Sequence, residues 1–235
     1  MRLPGLDIFR GVAILLMVIF HFSFDLNNFH IVDLDLKHGD FWKYFRYFIV
    51  SMFVFSAGIS LQLANKNGID LAKLKKRILV LSLASLAVTV GSYTQFPKTW
   101  IYFGILHFFL FSSLVGLLFL KLPKLTLMSA VFILLGYNFS FLNMHWLYAV
   151  LQEPLSLPSY YTEDLANVIP WFGVFLLGIS FTQYGFAQRA FKLSLFEKNN
   201  SFNIIFSYIG KHSLIIYLLH QPLLFAIFLS LKHFF

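Results

Sequence analysis

The chain has 235 residues, of which 59% are hydrophobic and 12% charged, and its mean hydropathy is +0.76. Soluble domains carry roughly twice this share of charge, so a water-soluble globular domain is excluded. The absence of cysteine excludes disulfides, thiolate nucleophiles and cysteine-bound metals. The net charge of +8 does not predict a nucleic-acid partner, because basic residues in a membrane chain mark cytoplasmic loops. We therefore predict an all-α integral membrane protein embedded in the lipid bilayer.

The predicted membrane spans are seven continuous apolar stretches, each near the roughly 17–25 residues that cross a bilayer. Continuous rather than alternating apolar runs predict helices instead of barrel strands. Short helices are also predicted at 146–151, in an external loop 143–167, and at 202–209. One bundle then forms a single domain over residues 1–235. The spans are predicted at 6–26, 44–64, 78–96, 101–120, 125–142, 168–184 and 214–231.

The basic residues of the loops predict the orientation of these spans. Five lie at one set of ends, namely Lys37, Lys43, Arg46, Lys98 and Lys232. Because cytoplasmic loops are enriched in Lys and Arg, the N-terminus is predicted to be cytoplasmic and the C-terminus external. Twelve lie at the other ends: Arg2, Lys66, Lys73, Lys75, Lys76, Arg77, Lys121, Lys124, Arg189, Lys192, Lys198 and Lys211.

The first span, within MRLPGLDIFRGVAILLMVIFHFSFDL, carries four ionisable residues: Asp7, Arg10, His21 and Asp25. Each such residue at the centre of a span costs roughly 2.5–3.5 kcal/mol on the insertion scale. At about 100° per residue, all four side chains fall within an arc of about 60°. We call these residues the polar stripe and predict that it faces the bundle interior or a wet cavity. An Asp7–Arg10 pair at the helix start is an equally good structural interpretation.

Other spans contain polar residues that would lie at related depths. His107, in YFGILHFFL, is predicted about as deep from the outer side as His21, so the two side chains could meet. Trp171, in NVIPWFGVFLLG, begins a span on the same side. The segment KHSLIIYLLHQP places His220 and Gln221 toward the cytoplasmic half of the last span. No histidine and carboxylate spacing typical of a metal site occurs, so no metal is predicted.

Five stretches resemble one known family along nearly the whole chain in order: LDIFRGVAILLMVIFHFSFDL, FVFSAGISL, FGILH, IPWFGVFLLG and GKHSLIIYLLHQPLL. They resemble the bacterial branch of the heparan-alpha-glucosaminide N-acetyltransferase catalytic-domain family, which is related more distantly to the acyltransferase 3 membrane proteins. The resemblance implies a multi-pass enzyme of a bacterial plasma membrane. It would transfer an acyl group, typically acetyl, from cytoplasmic acyl-CoA to an amine or hydroxyl of a sugar or glycan on the outer side. The oligomeric state stays open.

Under this resemblance, the donor would enter at the cytoplasmic mouth. Arg10, Lys211 and His212 would hold the anionic nucleotide end of acetyl-CoA or another acyl-CoA. His220 and Gln221 would then bind the donor further along the bundle. No other cofactor is implied.

The same resemblance implies the reacting groups. His21 would deprotonate the acceptor or carry the acyl group, and Asp25 would orient its ring. His107 or Trp171 would polarise the thioester carbonyl or shape the acceptor pocket. His38, in the loop after the first span, is a rival for the reactive histidine, because some family members place it in that loop.

Two other functions are consistent with the residues alone. The polar stripe could serve as the proton relay of a proton-coupled small-molecule transporter, although no internal repeat typical of many transporters is found. It could also bind a partner helix in a non-catalytic membrane subunit.

The predicted orientation can be tested because the chain contains no cysteine of its own. An impermeant maleimide applied to intact cells should label Glu153→Cys, which lies in the predicted external loop, and should not label Lys73→Cys. The reverse labelling pattern would contradict both the orientation and the cytoplasmic entry of the donor.

Overall fold

The computed structural model describes residues 3–36, 39–158, 162, 164–193, 196 and 200–231. Within these ranges every regular element is a helix, which confirms the predicted all-helical class. The helices are α1 Pro4–Asn28, α2 Asp40–Ala64, α3 Leu71–Gln95, α4 Ile105–Val115 with a 3-10 extension Gly116–Phe119, α5 Pro123–Asn138, α6 His145–Gln152, α7 Val168–Gln183, α8 Phe186–Phe191, α9 Ser201–Lys211 and α10 Ser213–Leu231.

Each predicted span overlaps one of these helices, but the helices differ in length. Among the described residues, four are long and apolar enough to cross a membrane: Pro4–Asn28, Asp40–Ala64, Leu71–Gln95 and Ser213–Ser230. Shorter apolar helices cover Ile105–Phe119 and Val168–Gln183. The count of seven spans and the cytoplasmic N-terminus stay predictions. The two predicted short helices are confirmed as α6 and α9.

The predicted start of the fourth span at Ile101 is wrong, because α4 begins only at Ile105. The backbone of Ile101 is bonded to side chains of α3 instead of entering a helix. Its N–H donates to the Ser92 hydroxyl at 2.9 Å, and its carbonyl accepts from the Thr89 hydroxyl at 2.9 Å. These two bonds tie the connecting segment, which contains a turn at 97–99 and a bend at 102–103, to α3.

The chain divides into two compact units. Residues 57–186 form one, which we call the central unit. The residues up to 56 and from 187 onward form the other, which we call the terminal unit. The predicted single domain over 1–235 stays a prediction.

In the terminal unit, α1 packs against both α9 and α10. Gly11 lies against the backbone carbonyl of Phe206, and Gly210 lies against that of Asp7, so α9 runs antiparallel to the first half of α1. Close approach of two helix backbones requires such glycines, since any Cβ would overlap the facing carbonyl. The chain then reverses, and α10 runs parallel to the second half of α1.

Apolar side chains fill the space between these helices and the first part of α2. Ile14, Met17 and Ile49 form the buried cluster, against which Phe45 and Ile216 pack. In the central unit, α5 packs against α7 and α3 packs against α4. There Phe108 and Phe175 are fully buried with their rings edge to face, 6.4 Å apart. Both units therefore have apolar interiors of their own.

The glycine contact between α1 and α9 predicts a sharp difference between two alanine variants. Gly11→Ala should lower the thermal midpoint of the purified protein in detergent, because overpacking against the Phe206 carbonyl typically costs about 1–3 kcal/mol. Gly91→Ala in α3 is the matched control. No described heavy atom lies within 4 Å of a Cβ at Gly91, and alanine is the better helix former, so the midpoint should hold or rise. Equal midpoints for the two variants would contradict the close contact.

Candidate active site

The polar stripe of α1 lies inside the terminal unit. Asp7 is 3% exposed and Asp25 is fully buried, while His21 contacts α10. Near the start of the helix, Arg10 Nη1 donates to Asp7 Oδ1 at 3.3 Å, so the predicted pairing of these two side chains is confirmed. The stripe thus meets protein groups, as burial of ionisable side chains in an apolar helix requires.

The second half of the stripe contacts two adjacent residues of α10. The rings of His21 and His220 lie 4.9 Å apart between centroids, at an angle of 57°. Gln221 Nε2 donates to Asp25 Oδ1 at 2.9 Å. The structure therefore brings together four of the predicted site residues, which we call the histidine–carboxyl cluster: His21, Asp25, His220 and Gln221.

The hydrogen-bond partner of His220 Nδ1 shows which ring nitrogen carries the proton. Nδ1 lies at hydrogen-bond distance from the backbone carbonyl of Tyr217, which can only accept. In the neutral ring Nδ1 therefore carries the proton, and Nε2 carries the lone pair. A histidine held this way is suited to accept a proton at Nε2.

Three buried atoms of the cluster have no hydrogen-bond partner among the described residues: His220 Nε2, Asp25 Oδ2 and Gln221 Oε1. In the neutral ring and the ionised carboxyl, all three are acceptors. A buried polar atom without a partner typically costs about 1–3 kcal/mol, so such atoms call for an explanation. A ligand that brings N–H or O–H donors would satisfy them.

These contacts correct two sequence-based expectations. His220 and Gln221 were predicted toward the cytoplasmic half of the last span, and His21 and Asp25 near the outer end of the first, but the two pairs lie side by side. The reason is that α10 runs parallel to the second half of α1, which brings His220 and Gln221 level with His21 and Asp25. Asp25 was also predicted to orient the His21 ring. Its hydrogen-bond partner among the described residues is Gln221, and no such bond joins it to His21.

His107 lies in the central unit, where both of its ring nitrogens have partners. Nδ1 accepts from the Gly104 N–H at 3.3 Å, so Nε2 donates to the Thr89 hydroxyl at 3.1 Å. Thr89 in turn donates to the Ile101 carbonyl. This chain of bonds secures the start of α4 and favours a structural role. The predicted action of His107 on the donor carbonyl, like that of Trp171 in the first turn of α7, stays a prediction.

Three of the predicted donor-binding residues, Arg10, Lys211 and His212, lie near the start of α1. Gly210 contacts the Asp7 backbone, which places the end of α9 beside the first turns of α1. Lys211 is exposed there, and His212 Nδ1 bonds to the Tyr208 carbonyl at 2.9 Å. The role of Arg10, Lys211 and His212 in donor binding stays a prediction. His38, the rival reactive histidine, lies outside the described residues.

The fold and the histidine–carboxyl cluster together define the class: a helical membrane protein with a buried, acceptor-rich polar site. Across the described ranges, no group of three or more His, Asp or Glu side chains is placed to hold a metal ion. The sequence model described as "Heparan-alpha-glucosaminide N-acetyltransferase, catalytic" matches residues 2–222. The chain therefore belongs to this family of membrane acetyltransferases.

Comparisons with individual proteins found no similar chain. No curated protein and no solved structure matches the chain. Membership of the family favours an enzyme and does not support the alternative of a proton-coupled transporter. The assignment to a bacterial branch stays a prediction.

The bond between Gln221 and Asp25 predicts a double-mutant cycle in thermal stability. Gln221→Glu places two carboxyl groups face to face and should destabilise the protein strongly, because a buried bond to a charged group is worth about 1.5–3 kcal/mol. Adding Asp25→Asn restores one carboxyl and one amide and should recover much of that loss. If the double variant melts at the temperature expected from adding the two single losses, the two side chains do not interact.

Proposed function

We propose that this protein is an acyltransferase of a bacterial plasma membrane. It moves an acetyl group from cytoplasmic acyl-CoA to an amine or hydroxyl of a sugar or glycan on the outer face. The observation that carries the proposal is the set of three buried acceptor atoms in the histidine–carboxyl cluster. Amines and hydroxyls are the hydrogen-bond donors that such atoms would bind, and they are also the nucleophiles that acyl transfer requires.

The cluster suggests how the transfer proceeds. The acceptor donates its N–H or O–H to His220 Nε2, while Asp25 Oδ2 and Gln221 Oε1 orient neighbouring donors of the same sugar. As the acceptor nitrogen or oxygen attacks the thioester carbonyl, its proton passes to His220. The C–N or C–O bond forms, the C–S bond breaks, and His220 returns the proton to the leaving CoA thiolate.

His21 is the second candidate for the reacting histidine. Its ring lies against that of His220, so it shapes the position of the base even where it takes no proton. It can also serve as the base or the acyl carrier itself, as the sequence suggests. Either role places the chemistry at the contact between α1 and α10.

Transfer of labelled acetyl from acetyl-CoA to a panel of amino sugars and glycans tests the proposal. His220→Ala should lower the rate of transfer by about 10²–10⁴-fold, which is the usual loss of a general base. Donor affinity and thermal stability should show no comparable loss. Asp25→Asn should cost less, because it removes an orienting group. His145→Ala, an exposed histidine of α6, is the matched control and should keep the full rate.

His21→Ala and His38→Ala complete the experiment. If only His21→Ala abolished transfer, His21 rather than His220 would be the general base, within the same cluster. Inactive His38→Ala protein with active His21→Ala and His220→Ala would overturn the cluster as the reacting site. If acetyl-CoA also failed to raise the thermal midpoint of the wild-type protein, the acyltransferase itself would be excluded.

A further inference from the structure

The connection between α2 and α3, together with the first two turns of α3, concentrates positive charge. Residues 65–77 contain five basic residues and one acidic residue, Asp70. Asp70 accepts from two backbone N–H groups at the start of α3 and pairs with Lys73 at 2.8 Å. The hydrogen bond from Lys73 also lowers the pKa of the Asp70 carboxyl, so Asp70 stays ionised. The basic residues are Lys66, Lys73, Lys75, Lys76 and Arg77.

Positive charge at a membrane surface is common, but Arg77 differs from its neighbours in being anchored. Its Nε donates to the Ser113 hydroxyl at 3.0 Å, and Ser113 donates to the Phe109 carbonyl at 2.6 Å. Ser113 is fully buried, whereas Lys76 is exposed. Because Nε is the inner nitrogen of the guanidinium, this bond fixes the plane of the group. An arginine fixed in this way loses less side-chain entropy on binding an anion.

Arg77 lies at the edge of a cleft between the end of α2 and the start of α3. The cleft is small and partly open, with a volume of about 40 Å³. Its apolar side comes from Leu61, Ala64 and Leu74, and its polar side from Asn65, Asp70, Lys73 and Arg77. Since Lys73 and Asp70 pair with each other, the net positive charge of the cleft comes from Arg77. A fork-shaped cation beside an apolar wall matches a phosphate group that is attached to a less polar molecule.

We propose that this cleft binds a phosphate group, held by Arg77 beside the Lys73–Asp70 pair. Beyond Arg77, Leu79, Leu83 and Leu86 of α3 are each about 60% exposed, as in a helix that faces lipid. The phosphate therefore belongs either to an anionic phospholipid headgroup or to the nucleotide end of acyl-CoA. A nucleotide bound here would replace the one predicted at Arg10, Lys211 and His212. The second source rests on the proposed function, whereas the first does not.

The test uses the full-length protein in lipid nanodiscs and three variants. Arg77→Gln and Lys76→Gln each remove one positive charge from the same turn, but only Arg77 lines the cleft. Ser113→Ala keeps every charge and removes the anchor. The lipid arm compares the thermal midpoint in pure phosphatidylcholine with that in a mixture containing phosphatidylglycerol. The nucleotide arm titrates adenosine 3′,5′-bisphosphate by calorimetry in pure phosphatidylcholine.

A lipid site is supported if phosphatidylglycerol raises the midpoint of the wild-type and Lys76→Gln proteins but not that of Arg77→Gln. A nucleotide site is supported if Arg77→Gln binds the bisphosphate about tenfold or more weakly, with less than about a twofold change in Lys76→Gln. In either case Ser113→Ala should show an intermediate loss.

Equal losses in the two glutamine variants, or no response of the wild-type protein in either arm, would overturn the site. Acetyl transfer measured on the same samples separates the two proposals. Intact transfer without a phosphate response refutes only the cleft, and a phosphatidylglycerol response without any transfer refutes only the enzyme.

Discussion

A carboxyl group buried in an apolar helix needs a hydrogen-bond donor, because neither lipid nor apolar side chains can supply one. Asp25 is fully buried in α1, and the amide of Gln221 supplies that donor. The terminal unit depends on this bond, since it requires α10 to run beside the second half of α1.

The position of α10 is in turn set by two glycines. Gly11 and Gly210 let the backbones of α1 and α9 touch, which fixes α9 against the first half of α1. Since α9 ends at Lys211 and α10 begins at Ser213, the position of α9 also fixes where α10 begins along α1. The contact of His220 with His21 is a consequence of this arrangement. Residues without any polar atom in their side chains therefore position the candidate catalytic groups.

Local patterns were sufficient to predict much of this architecture. The helical class, the short helices and the shared face of the polar stripe all follow from hydropathy and the period of 3.6 residues. The contact of His220 with His21 could not be predicted, because it depends on a backbone contact between residues about two hundred positions apart. The start of α4 was missed for a similar reason: the side chains of Thr89 and Ser92 bind the backbone of Ile101. Glycines at 11 and 210 were visible in the sequence, but nothing local indicates that they face each other.

The two buried histidines show why residue type alone is a poor guide to a reacting group. His107 and His220 both lie in apolar helices, and each was assigned a part in substrate handling from its sequence context. His107 uses one nitrogen to accept from Gly104 and the other to donate to Thr89, so a reaction at either nitrogen would break a bond that holds α4. His220 uses only Nδ1 and leaves its basic nitrogen buried without a hydrogen-bond partner among the described residues. A proton donor that binds there gains hydrogen bonds without breaking any, and this difference favours the contact between α1 and α10 as the place where chemistry occurs.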